Sequence, residues 1–175
     1  MTKLLGISGS LRKGSFNTML VKEAARVLAP SEFQIADLDI PLYNGDVEDQ
    51  GIPKAVQALI DQIWWADAIV ISTPEYNKGP SGVLKNALDW VSRPRPAPMV
   101  GKPVAVVSAA AGGAGGNRAK AAMYLFLIPF MVDMVTNPEV NVGGAMNVFD
   151  DDGRLTNEGA LKGLQALMDN LKARL

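Results

Sequence analysis

The sequence predicts an α/β fold in which a parallel β-sheet lies between two layers of helices. Segments with strand character alternate with segments of helical apolar spacing along the 175 residues, and this alternation is typical of parallel sheets. Two strand segments, 66–72 and 103–108, are continuous apolar runs rich in β-branched residues, as expected for strands buried on both faces. No repeat or low-complexity linker divides the chain, so we expect residues 1–175 to form a single domain.

Five elements are predicted in the first half of the chain. Ser15 is a suitable N-cap for the first helix, and Pro53 suits the first turn of the second helix. The second strand is short and polar, which favours a position near a sheet edge. In order, the elements are a strand at 3–7, a helix at 15–28, a strand at 33–38, a helix from Pro53 and a strand at 66–72. A loop is expected over 40–52.

The second half continues the alternation. The helix at 118–130 is apolar nearly all round, so its middle is expected to be buried or to pack against a second subunit. Thr156 is expected to cap the last helix. In order, the elements are a helix at 83–91, a strand at 103–108, a helix at 118–130, a fifth strand at 135–142 and a final helix to 171.

The composition excludes several kinds of site. The chain has no histidine and no cysteine, which removes disulfides, thiolate chemistry and nucleophiles activated by histidine. A net charge of −1 indicates neither a nucleic-acid surface nor a polyanionic partner. The longest apolar run is too short to cross a membrane. An enzyme with this composition is expected to depend on a bound cofactor.

The N-terminus has no signal-peptide pattern. Together with the absence of cysteines, which fits a reducing compartment, this predicts a cytoplasmic protein. The acidic run Asp150-Asp151-Asp152-Gly153 lacks the alternating ligands and the distal glutamate of a calcium loop. It is interpreted as a solvated turn, and no metal site is predicted.

Three loops rich in small and polar residues follow the first, third and fourth predicted strands. They are residues 8–17, 73–82 and 108–117. In parallel α/β sheets, ligands bind beyond the carboxyl ends of the strands, near the point where the strand order reverses. We therefore expect the three loops to share one ligand site.

The first loop has the features of an anion site. A strand, a Ser/Gly-rich turn with Arg12 and a helix N-terminus follow one another, and the backbone N–H groups of such a turn favour phosphate. Neither the Walker A order nor the G-x-G-x-x-G spacing is present, so a single terminal phosphate fits best. The loop alone leaves open whether Arg12 is merely solvated and Ser15 merely an N-cap.

The other two loops suit a flat ring. Pro74 stiffens the second loop, and Tyr76 supplies an aromatic face beside exposed backbone N–H groups. The third loop contains four glycines between residues 112 and 116, where backbone can approach a ring closely. The alternative interpretations are a partly buried tyrosine, a solvated Glu75 and a flexible glycine loop.

Three motifs in order resemble the NAD(P)H-dependent FMN reductase family, and in particular its bacterial quinone and chromate reductases. They are Gly9–Asn17 (GSLRKGSFN), Pro74–Asn77 (PEYN) and Leu84–Trp90 (LKNALDW). The resemblance covers most of the chain, about residues 3–150. It implies a flavodoxin-like fold with a five-stranded parallel sheet of order 2-1-3-4-5, FMN as cofactor, and NADPH or NADH as electron donor.

The resemblance also implies site residues. The first motif binds the FMN phosphate in this family, which assigns Ser10, Arg12, Ser15, Phe16 and Asn17. The second motif lies along the isoalloxazine, which assigns Pro74, Glu75, Tyr76 and Asn77. The loop after the fourth strand closes the site, which assigns Ser108, Gly112 and Gly113. The flavin itself carries the hydride, so no side chain is assigned a catalytic role. The family often has an aromatic residue where this chain has Lys78.

The implied function is that of an FMN-dependent oxidoreductase. Electrons would pass from NAD(P)H to a quinone, azo, chromate-like or flavin acceptor by a ping-pong mechanism, in a homodimer or homotetramer. The alternatives are a flavodoxin-type electron carrier, a flavin-binding module without turnover, and a binding or regulatory module that keeps the fold but has lost the flavin. A net charge of −1 disfavours the carrier, because flavodoxins usually have strongly acidic surfaces.

Overall fold

The computed structural model describes residues 1–175. Its strands are β1 (Lys3–Ser8), β2 (Glu32–Ile35), β3 (Ala68–Thr73), β4 (Pro103–Ala109), β5 (Asp133–Val135) and β6 (Asn141–Val142). Its helices are α1 (Phe16–Leu28), α2 (Gly45–Glu48), α3 (Lys54–Trp65), α4 (Gly82–Val91), α5 (Asn117–Leu127) and α6 (Glu158–Lys172). Short 3₁₀ turns lie at Ile128–Phe130 and Ala145–Asn147. None of the helices has the length and apolar character needed to cross a lipid bilayer.

All strands of the sheet run parallel, in the order β2-β1-β3-β4-β5, and β6 pairs with the end of β4. This confirms the predicted fold class and strand order. Every residue of β3 and β4 is buried, as their continuous apolar runs predict. The strand order reverses between β1 and β3, so the loops that leave β1, β3 and β4 meet at one edge of the sheet.

The core has two halves because successive side chains of a strand point to opposite faces of the sheet. Leu4 and Val70 pack with residues of α1 and α6, whereas Leu5 and Ile69 pack with residues of α3, α4 and α5. All four side chains are fully buried, and each contributes about 2 kcal/mol through removal of apolar surface from water. The helices thereby cover both faces of the sheet, and the loops lie at the edge formed by the carboxyl ends of the strands.

Four local predictions were wrong. The predicted strand at 135–142 is two short strands, β5 and β6, because Pro138 lies between them and has no N–H for a ladder. The N-cap of α6 is Asn157, whose Oδ1 accepts a hydrogen bond from the N–H of Ala160 at 2.8 Å, and not Thr156. The long helix α5 ends at Leu127, before a 3₁₀ turn. The loop at 40–52 contains the short helix α2.

Candidate functional site

A cleft of about 230 Å³ lies at the carboxyl edge of the sheet, where the three loops meet. Eight of the twelve predicted site residues line it: Ser10, Arg12, Ser15, Phe16, Asn17, Pro74, Glu75 and Tyr76. A larger groove of about 730 Å³ lies at the opposite edge of the sheet, beside Thr2 and Lys102. We assign the site to the smaller cleft because it lies at the strand-order reversal and contains the anion loop.

The first loop presents unpaired N–H groups beside this cleft. The Oγ of Ser15 caps α1 and accepts hydrogen bonds from the N–H groups of Asn17 and Thr18 at 3.2 and 3.4 Å. The following residues of the loop have N–H groups with no hydrogen-bond partner in the protein: Ser10, Leu11, Lys13, Gly14 and Ser15. With the N-terminus of α1 and the exposed guanidinium of Arg12, these donors form a site for a phosphate group.

Asn17 fastens the start of α1 to two other strands. Its Nδ2 donates to the carbonyl of Ala109 at 3.0 Å, and its Oδ1 accepts from the Ser72 hydroxyl at 2.8 Å and the Ala109 N–H at 3.1 Å. The residue is buried, so these bonds are shielded from water. Although Asn17 lines the cleft, most of its polar capacity holds the ends of β3 and β4 in register with the anion loop.

The carboxylate of Glu75 caps α5. It accepts hydrogen bonds from the N–H groups of Arg118 and Ala119 at 3.1 and 3.3 Å, because the residue at the N-cap position, Gly116, has no side chain to do so. The negative charge also interacts favourably with the helix dipole. The structure therefore gives this side chain a role in joining the second loop to the third, and the interpretation as a solvated side chain does not hold.

A tight turn forms the tip of the second loop. The N–H of Tyr76 donates to the carbonyl of Gly79 at 2.9 Å, and the N–H of Gly79 donates back at 3.0 Å. Asn77 and Lys78 have φ values of 50° and 67°, which defines a type I′ turn. Tyr76 is half-exposed and lines the cleft, whereas Asn77 lies at the exposed tip, outside the lining.

The third loop contributes different residues from those predicted. Ala109, Ala110 and Ala111 line the cleft, and Gly112 and Gly113 lie outside its lining and are exposed. The alanines carry no chemical signal that would have identified them, apart from their position directly after β4. Small side chains there leave room for a flat ligand between the second and third loops.

The third loop is also fixed in place. Gly115 has a φ of 61°, and a Cβ at this position would lie 2.6 Å from the backbone of Asn141. Only glycine permits this contact between the loop and β6. The alternative interpretation of the segment as a flexible glycine loop is therefore not supported by its packing.

Ser108 lies beneath this loop and outside the lining of the cleft. It is fully buried and donates a hydrogen bond to Oδ1 of Asn141 at 3.0 Å. Asn141 in turn donates to Glu139, which accepts from the buried Nζ of Lys120 at 3.2 Å. This series of hydrogen bonds connects the end of β4 to α5. The Ser108 hydroxyl therefore helps to hold the third loop in position.

Burial and pairing set the protonation of Lys120 and Tyr124 on α5 and of Glu139. Burial lowers the pKa of Lys120, and the hydrogen bond from Lys120 lowers the pKa of Glu139. Burial raises the pKa of Tyr124 to about 12, so its phenol is neutral at pH 7. The titratable side chains that line the cleft are Arg12, Glu75 and Tyr76. None of them is a free general base, so the cleft is built for binding and orientation.

The residues present fit a phosphorylated flat ligand. The unpaired N–H groups and Arg12 supply donors for a phosphate, with no carboxylate in the first loop to oppose it. Tyr76 and the three alanines supply apolar surface for a ring. The donor set and the lining of the cleft thus agree with a flavin mononucleotide.

Comparison with known proteins gives a consistent result. The model of the NADPH-dependent FMN reductase family matches residues 2–147. An NAD(P)H-dependent FMN reductase of Pseudomonas aeruginosa is 44% identical over 172 residues, which is 97% of this chain and 93% of the relative. A quinone reductase of Escherichia coli K12 is 39% identical over 166 residues, covering 91% and 87% of the two chains.

A solved structure is similar over the whole chain. It is FerB, a flavoenzyme NAD(P)H:(acceptor) oxidoreductase from Paracoccus denitrificans, which superposes with a TM-score of 0.88 at 31% sequence identity. The similarity covers 99% of each chain. The fold is therefore shared along the full length of both chains.

Proposed function

The chain belongs to the NADPH-dependent FMN reductase family, and from this premise we propose how its residues serve an FMN-dependent NAD(P)H oxidoreductase. The protein is an enzyme of this class, with FMN as its cofactor and a small molecule as its electron acceptor. When bound, FMN supplies the hydride and electron chemistry that no side chain of the cleft provides.

The observation that carries the proposal is the row of unpaired N–H groups beside Arg12 at the N-terminus of α1. We assign the FMN phosphate to this loop, with Ser10, Ser15 and Phe16 completing its walls. Asn17 acts by holding the loop against β3 and β4. A phosphate held by several backbone donors and one guanidinium fixes the position of the attached ring without any need for acid–base side chains.

The ring is assigned to the space between the second and third loops. Pro74, Glu75 and Tyr76 line one side of this space, and the alanines after β4 line the other. Contacts from Asn77, Ser108, Gly112 and Gly113, implied by the family resemblance, remain part of the proposal. Ser108 is buried beneath the loop, so its contribution is expected to be indirect.

We propose a ping-pong mechanism in which NAD(P)H and the acceptor occupy the same open face of the cleft in turn. A single cleft of about 230 Å³ where the three loops meet supports successive rather than simultaneous binding. Initial rates at several acceptor concentrations should give parallel double-reciprocal plots. Intersecting lines would exclude this order. The acceptor is expected to be a quinone, an azo compound, a chromate-like oxyanion or a free flavin.

An absorbance experiment tests the function directly. The purified protein loaded with FMN should lose its yellow colour when NADPH or NADH is added anaerobically, and a quinone should restore it. Persistent colour with both donors would favour the flavodoxin-type carrier or the flavin-binding module without turnover. An apoprotein that remains colourless after incubation with excess FMN and desalting would favour a module without flavin.

We also propose that residues 1–175 form one FMN-binding domain that assembles as a homodimer or homotetramer. Leu125 and Ile128 are 66% and 59% exposed on and just after α5, and Trp64 is 47% exposed on α3. Large apolar side chains at the surface favour a protein interface. Sedimentation of a monomer at micromolar concentration would refute the assembly.

A further inference from the structure

The backbone at the tip of the second loop holds Lys78 in an uncommon conformation. Lys78 is the second central residue of the type I′ turn and has a φ of 67°, a position where glycine is favoured. The mutual hydrogen bonds of Tyr76 and Gly79 close the turn, so the lysine cannot leave this conformation without breaking them. Backbone strain of this kind is concentrated at functional sites.

The ammonium group of Lys78 has no partner in the protein. The residue is exposed and makes no hydrogen bond or salt bridge. It follows Tyr76, which lines the cleft, by two positions. The turn therefore presents a free cation two residues from the cleft lining, and no internal contact accounts for the lysine.

The three loops around the cleft have a positive net charge, although the whole chain has a slightly negative one. Their cations are Arg12, Lys13 and Lys78, and their one carboxylate, Glu75, is bonded to the backbone of α5. The loops thus carry +2, and since the whole chain carries −1 the remainder carries −3. A local positive field of this kind attracts anionic substrates and raises their association rates.

We propose that Lys78 is a specificity-determining residue that binds the anionic oxygens of a substrate as it enters the cleft. The inference rests on the proposed function and extends it to substrate choice. Lysine acts as a point charge toward phosphate or another oxyanion. The anion belongs either to the nicotinamide donor, as its pyrophosphate or its 2′-phosphate, or to an acidic electron acceptor.

Two replacements of Lys78 distinguish the effect of its charge from the effect of its backbone conformation. Lys78→Gly removes the cation and suits the positive φ, so the turn is kept. Lys78→Arg keeps the charge at the same place. Lys162→Ala is the matched control, because Lys162 is an exposed lysine on α6, away from the cleft. All variants are assayed as FMN-loaded protein, with NADPH and NADH as donors and 1,4-naphthoquinone and its 2-sulfonate as acceptors.

The expected result is a fall of about fivefold in kcat/KM for an anionic substrate in Lys78→Gly, the size of one partly exposed charge pair. The lower kcat/KM should result from a higher KM, with kcat unchanged. The value should return to that of the wild type in Lys78→Arg, and the difference between Lys78→Gly and wild type should disappear at high salt. A larger fall with NADPH than with NADH identifies the 2′-phosphate, and an equal fall identifies the pyrophosphate. A fall only with the sulfonate, at saturating NADH, identifies an acidic acceptor.

Equal kcat/KM values in wild type and Lys78→Gly for all four substrates would overturn the inference. A common loss of kcat that includes neutral 1,4-naphthoquinone would also overturn it, since that pattern indicates a structural role. If the FMN-loaded wild type oxidises neither nicotinamide, the proposed function fails first. If the wild type oxidises both and the variants match it, only the assignment of Lys78 fails.

Discussion

Replacing Arg12 with alanine should separate phosphate binding from folding. The guanidinium is exposed and makes no hydrogen bond or salt bridge with the protein. Its loss should therefore change the free energy of unfolding of the apoprotein by no more than about 0.5 kcal/mol. The same group is the only cation that lines the cleft, so the binding of a dianionic phosphate depends on it strongly.

The size of the effect follows from one charge-assisted hydrogen bond. Such a bond contributes about 1.5–3 kcal/mol, which corresponds to an increase in the Kd for FMN of about 10- to 150-fold. Riboflavin has the same ring but no phosphate, and its Kd should be nearly unchanged. Lys13→Ala, which removes the neighbouring exposed cation outside the cleft lining, is the matched control and should weaken FMN by less than about threefold.

The assay is titration of apoprotein with each flavin, followed by quenching of flavin fluorescence, and urea unfolding of the same preparations. If Arg12→Ala weakens FMN and riboflavin equally, the arginine does not contact the phosphate. An unchanged Kd for FMN, or a loss of stability comparable to the loss of binding energy, would equally refute the assignment of the anion loop.

Three further predictions concern the supports of the site. Asn17→Ala should lower the free energy of unfolding by about 3 kcal/mol, because buried polar groups at the ends of β3 and β4 lose their partner; an apoprotein as stable as wild type in urea would contradict this. Glu75→Ala should cost about 1 kcal/mol through loss of the α5 cap, and Glu75→Gln should cost less because an acceptor oxygen remains. The hydrogen bond from Lys120 lowers the pKa of Glu139 below its ordinary value of 4.5. The contribution of this ion pair to the free energy of unfolding is therefore complete above pH 4.5, and it is lost as the pH falls through the lowered pKa. Wild type should therefore lose more stability than Glu139→Gln between pH 7 and pH 3, and parallel pH profiles would refute the pairing.

Local patterns were sufficient for most of the fold. The apolar runs at 66–72 and 103–108 correspond to β3 and β4, and Ser15 caps α1 as expected. These features depend on neighbouring residues alone. The strand predicted at 135–142 failed because its apolar residues have the right spacing, while the backbone pairing that defines a strand is interrupted at Pro138.

The candidate site was predictable where a residue type carries its own chemistry. Arg12 and Tyr76 were found because a cation in a glycine-rich loop and an aromatic ring beside a proline are recognisable. The alanines of the third loop that line the cleft have no such signature. The cap that Glu75 gives to α5 joins residues 43 positions apart, and such contacts follow from the tertiary arrangement.

The bonds of Asn17 have a consequence for the order of folding. Its partner Ala109 lies 92 positions further along the chain, so the anion loop reaches its final geometry only after β3 and β4 have paired beside β1. Contacts of such high sequence separation form slowly, since long loops must close first. FMN is therefore expected to bind after the rate-limiting step of folding, and to slow unfolding of the protein without accelerating its folding.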